Sequence, residues 1–283
     1  MRILVTGGAG FIGTNLIKKL LKLDYEVYSI DNYSTGKKEN EVEGCYYFNK
    51  DINFLKFKDS LFKYTDLVIH LAAIARIQPS FKRPEDYINT NFNGTFKIVK
   101  CCSEYKIPLI YAGSSSHHSG RFKNPYTFSK DLGEDIIKLY QDHFNLEASI
   151  ARFYNVYGPH QLTEGGYTTL IGRWIHNMNK GLPCVIYGDG SKRRDFTHVE
   201  DIVNGLVKII DKEAYGYTFE FGKGKNHSIN DIAEMFDIKP IYKNNKPGEA
   251  QETLADYTFA KEILEWEPKI NLIDYVTKYR NSR

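Results

Sequence analysis

The stretch VTGGAGFIG, Val5 to Gly13, narrows the possible folds of this chain more than any other. It sets Gly7, Gly10 and Gly13 between an apolar strand, RILVT, and a segment of helical apolar spacing, FIGTNLIKKLLKL. Glycines at this spacing let backbone N–H groups and a helix N-terminus approach a pyrophosphate, and let the helix pack close to the strand. Glycine spacing alone is weak evidence; the strand before it and the helix after it give it weight. Asp31 follows at the end of the second strand, EVYSI, about where a carboxylate accepts the hydroxyls of an adenosine ribose. That carboxylate repels a 2′-phosphate, and Asn32 beside it brings no positive charge. NAD is therefore expected over NADP, with Lys37 and Lys38 the nearby cations that argue the other way.

Short apolar strands alternate with helical patterns through the first half, which predicts an α/β fold with a Rossmann-type, doubly wound parallel sheet. Strands are expected at RILVT, EVYSI, CYYFN, DLVIHLA, PLIYAG and EASIARF, and helices over FIGTNLIKKLLKL, Pro84 to Tyr105 and Tyr126 to Phe144. After Arg152 the strands shorten and Gly and Pro become frequent. The expected division is a dinucleotide-binding domain over 1–155, with 195–215 returning to it, and a smaller mixed α/β lobe from 156–194 and 216–283. The chain has 283 residues, 42% of them hydrophobic, and its 38 basic and 35 acidic side chains leave a net charge of only +3. No long run of one sign suggests nucleic acid or a membrane surface as partner. No apolar run approaches the roughly 20 residues needed to span a bilayer. The strand that opens the chain leaves no room for a signal peptide, and Cys45, Cys101, Cys102 and Cys184 lack C-x-x-C spacing. A cytoplasmic protein with free thiols is the expectation.

The stretch YAGSSSHHSG, Tyr111 to Gly120, ends the fifth apolar run with three serines and two histidines. Metal is not expected there, because His117 and His118 are adjacent, point to opposite sides in an extended segment, and have no third ligand at useful spacing. A Ser–His nucleophile pair lacks the G-x-S-x-G turn that would present it. The histidines are expected to be loop residues beside a ligand pocket. Tyr126 and Lys130, four apart at the start of a helix, share a face. The same Tyr-x-x-x-Lys spacing starts at Tyr33, Tyr46, Tyr242 and Tyr257, but only Tyr126 opens a long helix after a serine-rich strand end. A phenol titrates near 10, so using it as a base near neutrality needs a drop of about 3 units, roughly 4 kcal/mol. A lysine ammonium and an oxidised nicotinamide can share that task.

With these residues in place, the chain resembles the extended short-chain dehydrogenase/reductases, specifically their nucleotide-sugar epimerase/dehydratase branch. The likeness runs over nearly the full length through TGGAGFIG, Asp31, Asp51-Ile52, HLAA (His70 to Ala73), NFNGT (Asn91 to Thr95), YTFSK, RFYNVYGP and RRDFTHVEDI. It implies an NAD-dependent 4-epimerase of the UDP-glucose 4-epimerase type, working as a homodimer on a nucleotide-diphosphate sugar. Tyr126 is then the acid/base and Lys130 lowers its pKa and binds the nicotinamide ribose. The reactive serine lies five residues before the glycine that closes the turn, which gives Ser115. Gly7, Gly10, Phe11, Ile12, Gly13, Asp31, Asn32, Asp51, Ile52, Leu71, Ala72, Ala73 and Asn91 are implied on the cofactor, with Phe153 and Tyr154 bordering the nicotinamide. Asn155 and Arg194 are implied on the substrate diphosphate and Tyr187 beside the base. Lys246 and Glu249 stand where the family has arginine and aspartate, and Thr253 lies beside the sugar's C2 substituent, where its small size favours tolerance of N-acetyl forms. Dehydratases and decarboxylases of this family usually carry an acid directly after the reactive hydroxyl, and here Ser116 and His117 stand there. The alternatives are a 4,6-dehydratase, decarboxylase or 4-ketoreductase on the same scaffold, and, from another class, a non-catalytic NAD sensor, which would usually have lost the Tyr/Lys pair.

Overall fold

A computed structural model describes residues 1–282. In chain order the elements are β1 (Arg2–Thr6), α1 (Phe11–Leu21), β2 (Glu26–Asp31), β3 (Tyr46–Asn49), β4 (Leu67–His70), α2 (Ile77–Ser80), α3 (Pro84–Ile88), α4 (Thr95–Tyr105), β5 (Leu109–Ser114), α5 (Pro125–Phe144) and β6 (Ala148–Phe153). The second half adds α6 (Leu170–Asn179), β7 (Val185–Tyr187), β8 (Arg193–Asp195), α7 (Val199–Asp211), β9 (Thr218–Phe221), β10 (Asn226–Ser228), α8 (Ile229–Phe236), β11 (Ile241–Lys243), α9 (Thr258–Leu264) and α10 (Leu272–Asn281).

Seven parallel strands form the main sheet in the order β3-β2-β1-β4-β5-β6-β9. β1 pairs with β2 (Val5 opposite Ser29) on one side and with β4 (Val5 opposite Ile69) on the other. Ile3, Leu4 and Val5 have no exposed surface, as expected of a central strand covered on both faces. The strand order reverses beside β1, and open sheets of this type hold ligands in the crevice beyond the strand ends at that point. One face is packed by α1, α7 and α9, the other by α4 and α5. The smaller lobe holds a two-stranded antiparallel sheet (β8, β10) and a two-stranded parallel one (β7, β11) around Trp174, Phe236, Ile186 and Val276.

The structure corrects one boundary. Residues 216–283 were expected wholly in the second lobe, but β9 is the outermost strand of the main sheet, with Phe153 opposite Phe221. TFEF is too short to signal a sheet strand by itself; its alternation buries Phe219 and Phe221 completely against the large core. α9 follows it there, and Trp266 Nε1 donates to Asp201 O at 2.9 Å. The helix expected over Pro84 to Tyr105 forms, but Asn89–Gly94 is wound as a π-helical turn between α3 and α4. Such turns are rare and concentrate at functional sites; this one carries Asn91.

Candidate active site

A cavity of roughly 880 Å³ runs along the carboxyl ends of the strands and between the lobes. At one end the backbone does the shaping. Gly7 has φ +77°, and a Cβ there would lie 2.8 Å from Ala72 N; a Cβ on Gly13 would lie 2.2 Å from Gly7 O. Both side chains must be absent for the turn, the neighbouring loop and α1 to approach this closely. Gly10 caps α1 without a side-chain hydrogen bond, so the first-turn amides around Phe11 and Ile12 face the cavity unclaimed by any cap. Asp31 accepts Ala9 N at 2.9 Å on one oxygen and Tyr33 N at 2.8 Å on the other, which leaves acceptor capacity on both. Burial pushes its carboxyl above the usual value and these two amides oppose the shift. Asn32 donates to Asp51 at 2.8 Å, and Lys37 is paired with Glu39 at 3.0 Å. An uncapped helix end, a cradle that a Cβ would fill and a carboxylate with spare lone pairs fit a dinucleotide without a 2′-phosphate.

The wall formed by Leu71, Ala72 and Ala73 is held from behind. Thr95 Oγ1 donates to Asn91 O at 2.7 Å, so it accepts from His70 Nε2 at 2.9 Å; His70 Nδ1 in turn accepts from Thr6 Oγ1 at 2.6 Å, and Thr6 Oγ1 accepts Ala72 N at 3.2 Å. Burial drives His70 down to about 3, so this chain of bonds keeps a neutral ring. Asn91 spends its amide on Ile74 N (2.8 Å), Ile74 O (2.9 Å) and Ser129 Oγ (3.0 Å). It is fully buried behind the cavity wall, so the structure gives it the role of fixing the loop rather than a surface for the cofactor. Tyr154 also differs from expectation: it is buried off the wall with its hydroxyl on Glu220 at 2.8 Å, while Phe153 and Asn155 on either side face the cavity.

Tyr126 and Lys130 line the middle of the cavity. α5 begins here because Asn124 caps Thr127 N at 2.8 Å and Pro125 occupies the first turn. Tyr126 Oη donates to Ser114 Oγ at 3.2 Å, and Ser116 Oγ donates to the same oxygen at 3.0 Å. The hydroxyl that meets the phenol is Ser114, which still belongs to β5, whereas Ser115, the serine reached by counting back from Gly120, has entered the helical turn. Ser115 lies on the cavity wall beside it. Lys130 is buried with Nζ 4.1 Å from the centre of the Tyr111 ring, and burial lowers it to about 7 while Glu134 and Asp131 push the other way. Burial raises the Tyr126 phenol, opposed by its bond to Ser114 and by the Arg76 charge.

His117 and His118 do not line the cavity. His117 Nδ1 is 2.9 Å from Asp131 Oδ1 and 3.7 Å from Glu134 Oε2, and His118 Nε2 bonds Glu220. They clamp the serine turn to α5 on one side and β9 on the other. The spacing argument missed the acids because they arrive from another element: ligand atoms of His117, Asp131 and Glu134 lie within 4.8 Å of one another. Arg152 already holds Glu134 with Nη2 at 2.6 Å and Nε 3.2 Å from both oxygens, so the group is built as an ion-pair network.

At the far end the wall is made of side chains. Asn155, with φ 30°, donates to Asp195 O at 2.8 Å and Thr253 Oγ1 at 3.1 Å. Arg194 donates to Arg193 O and Ala250 O, each at 2.8 Å. Glu249 sits between cations, 3.2 Å from Lys192 and 3.8 Å from Arg194. The Lys246 ammonium lies 3.4 Å from the centre of the Tyr187 ring. Sequence reasoning named Arg194 and passed over Lys192 two residues earlier in GDGSKRRDF; it also missed Arg76, whose partner lies 91 positions away.

The fold and this wall define a dinucleotide-binding oxidoreductase-type scaffold with a Tyr/Lys pair at its centre. The match to the NAD dependent epimerase/dehydratase family model covers residues 3–222, and the chain belongs to that family. A UDP-glucuronate 4-epimerase of Thermodesulfobacterium geofontis is 31% identical over 95% of this chain and 92% of its own. Among solved structures, UDP-glucose 4-epimerase of Thermotoga maritima with UDP-glucose is similar with TM-score 0.93 and 28% identity, over 100% of this chain and 99% of that one. UDP-glucuronic acid 4-epimerase of Bacillus cereus with UDP-glucuronic acid and NAD is similar with TM-score 0.89 and 29% identity, over 99% and 98%.

Proposed function

We propose that this enzyme inverts the C4 configuration of a UDP-linked sugar through a 4-keto intermediate, using NAD. The observation that carries the reading is the Tyr126–Ser114 hydrogen bond beside buried Lys130, in the middle of a cavity with a dinucleotide-shaped end and a cation-lined end. Tyr126 Oη takes the proton of the C4 hydroxyl, Ser114 orients the phenol, and Ser115 on the adjoining wall meets the sugar hydroxyl. Lys130 supplies positive charge to the phenolate, and Tyr126 returns the proton after the keto sugar has turned. When bound, NAD supplies the hydride acceptor and donor, and its positive nicotinamide assists the phenolate. Lys192, Arg194 and Lys246 provide the diphosphate charge balance. Elimination needs an acid from the serine turn, but that turn offers Ser116 and a His117 that faces away from the cavity. This favours epimerase over dehydratase.

The outer face of α5 leaves Leu139 and Phe144 exposed and Leu132 and Ile136 half-buried, which supports a homodimer through helix pairing. Light scattering at micromolar concentration should give twice the chain mass; a monomer sinks the pairing. No described helix is long and apolar enough to cross a membrane. The four cysteines are unpaired, which supports a cytoplasmic setting. The deciding experiment offers NAD-loaded protein a panel of UDP-sugars. Chromatography should show interconversion of C4 epimers without net NADH; accumulation of a 4-keto product or release of CO2 would replace this reading with a dehydratase or a decarboxylase.

A further inference from the structure

Among the described residues Arg76, unlike Lys192 and Arg194 at the substrate end, has no carboxylate to answer it. Lys192 and Arg194 share Glu249, and Lys246 lies on the Tyr187 ring. Arg76 gives Nε to Tyr167 O at 2.9 Å, and among the described residues its two terminal nitrogens have no protein acceptor. It reaches the cavity wall from the loop between β4 and α2 with φ 85°, a backbone that residues with side chains rarely adopt. Strain of this kind costs on the order of 1–3 kcal/mol and is retained mainly at clamps and active sites. Burial lowers the guanidinium pKa, opposed by the phenols of Tyr126 and Tyr87 but by no carboxylate, an imbalance that a bound anion corrects.

Its location fixes which part of a ligand it meets. Tyr87 Oη donates to the carbonyls of Ala75 and Arg76, both at 2.9 Å, and the Tyr87 ring stands edge-on to Tyr126 with centroids 6.2 Å apart. The Arg76 backbone is thus one ring away from the Tyr126 ring, and the Arg76 charge acts on the Tyr126 phenol. We propose that Arg76 reads a carboxylate on the C5 branch of the sugar, so that the preferred substrate class is a UDP-linked uronic acid. This rests on Tyr126 acting at C4: the carbon bearing that branch is the direct neighbour of C4. A guanidinium with one nitrogen anchored and two free presents a two-pronged edge suited to a carboxylate, and a neutral hydroxymethyl group in its place leaves that edge unpaired.

The test compares UDP-glucuronate and UDP-glucose by calorimetry and by turnover on NAD-loaded wild type, Arg76→Gln and Arg76→Lys. Wild type should bind the uronate roughly 100-fold more tightly than the neutral sugar. In Arg76→Gln that ratio should fall to near one, and Arg76→Lys, with charge but no fork, should lie between. Equal affinity of wild type for the two sugars overturns the proposal. So does an unchanged ratio in Arg76→Gln, which would leave Arg76 only the task of holding the Tyr167 loop. Should Arg76→Gln fail to fold, an unchanged ratio in Arg76→Lys overturns it equally. Tight, Arg76-dependent uronate binding without any C4 epimer formed would support the carboxylate site and defeat the epimerase reading instead.

Discussion

The two ends of the cavity are built from different materials. The dinucleotide end is backbone and local sequence: Gly7 and Gly13 exclude their own side chains from a turn, and Asp31 is fixed by amides of Ala9 and Tyr33. The sugar end is side chains that meet across the chain: Asn155 with Thr253, Lys192 with Glu249, Arg76 with Tyr167. A backbone constraint admits one or two residue types at a set spacing. A long-range side-chain contact admits many. The first end should therefore break sharply under small substitutions, and the second should change selectivity before it loses function.

The largest effect is expected where the two ends meet. Tyr126→Phe removes the proposed proton acceptor without disturbing either end, and kcat should fall about 1,000-fold while calorimetric NAD affinity stays within a factor of two or so of wild type. Retention of a tenth of the activity would show that the chemistry sits elsewhere. Of the serines, Ser114→Ala should cost more in kcat than Ser116→Ala, since only Ser114 touches the phenol.

Next in size is the dinucleotide end. A Cβ on Gly13 would sit 2.2 Å from Gly7 O, against backbone that cannot move without shifting β1 or α1. Gly13→Ala should weaken NAD binding by at least about tenfold, whereas Lys246→Ala, which removes a cation resting on an aromatic ring, should leave NAD affinity intact and raise only the KM for sugar nucleotide. If the two variants impaired NAD binding equally, the contrast between the ends would fail.

The same contrast explains what could be read from the sequence. The six expected strands, α1 and α5 were legible because each pairs a strong apolar period with a turn or cap, as in Asn124-Pro125 at the start of α5. β9 was not, because four residues carry too little periodicity and gain their burial only from distant partners, β6, α7, α9 and Trp266. Glycines 7, 10 and 13 and the Tyr126/Lys130 pair were legible from spacing. That Ser114 meets the phenol was not legible, because the step from strand to helical turn, which decides the direction of each serine, has no signal in a run of three. Arg76, and the acids that hold His117 and His118, were hidden because nothing local marks partners that only folding brings near.

A smaller effect tests the burial of Lys130. Its ammonium titrates near 7 in the folded chain against 10.5 in the unfolded one. Between those values the unfolded chain holds a proton that the folded chain has lost, so stability rises with pH across that window and is at its lowest below 7. The slope is on the order of 1 kcal/mol per pH unit where the difference is complete. Denaturant melts from pH 7 to 9 should show this rise in the NAD-free protein, and Lys130→Met should flatten it. A wild-type slope equal to that of the variant would mean that Glu134 and Asp131 keep the lysine charged.

The smallest expected change lies deep in the side-chain end, at Thr253. Its hydroxyl accepts Asn155 Nδ2 at 3.1 Å and Asp195 N at 3.2 Å, and it lies on the cavity wall. If it faces the sugar's C2 substituent, its small volume admits an N-acetyl group that tyrosine would crowd, with overpacking of about 1–3 kcal/mol avoided. Thr253→Tyr mixes two effects, because it fills space and also breaks both hydrogen bonds. Thr253→Val separates them: it keeps the volume and loses the bonds. The expected pattern is a drop of several-fold or more in the rate ratio of UDP-N-acetylglucosamine to UDP-glucose for tyrosine, and an unchanged ratio for valine with both rates lowered through the displaced Asn155. A valine variant that shifts the ratio as far as tyrosine does would mean that Thr253 acts by holding Asn155, and that space at this position does not select the sugar.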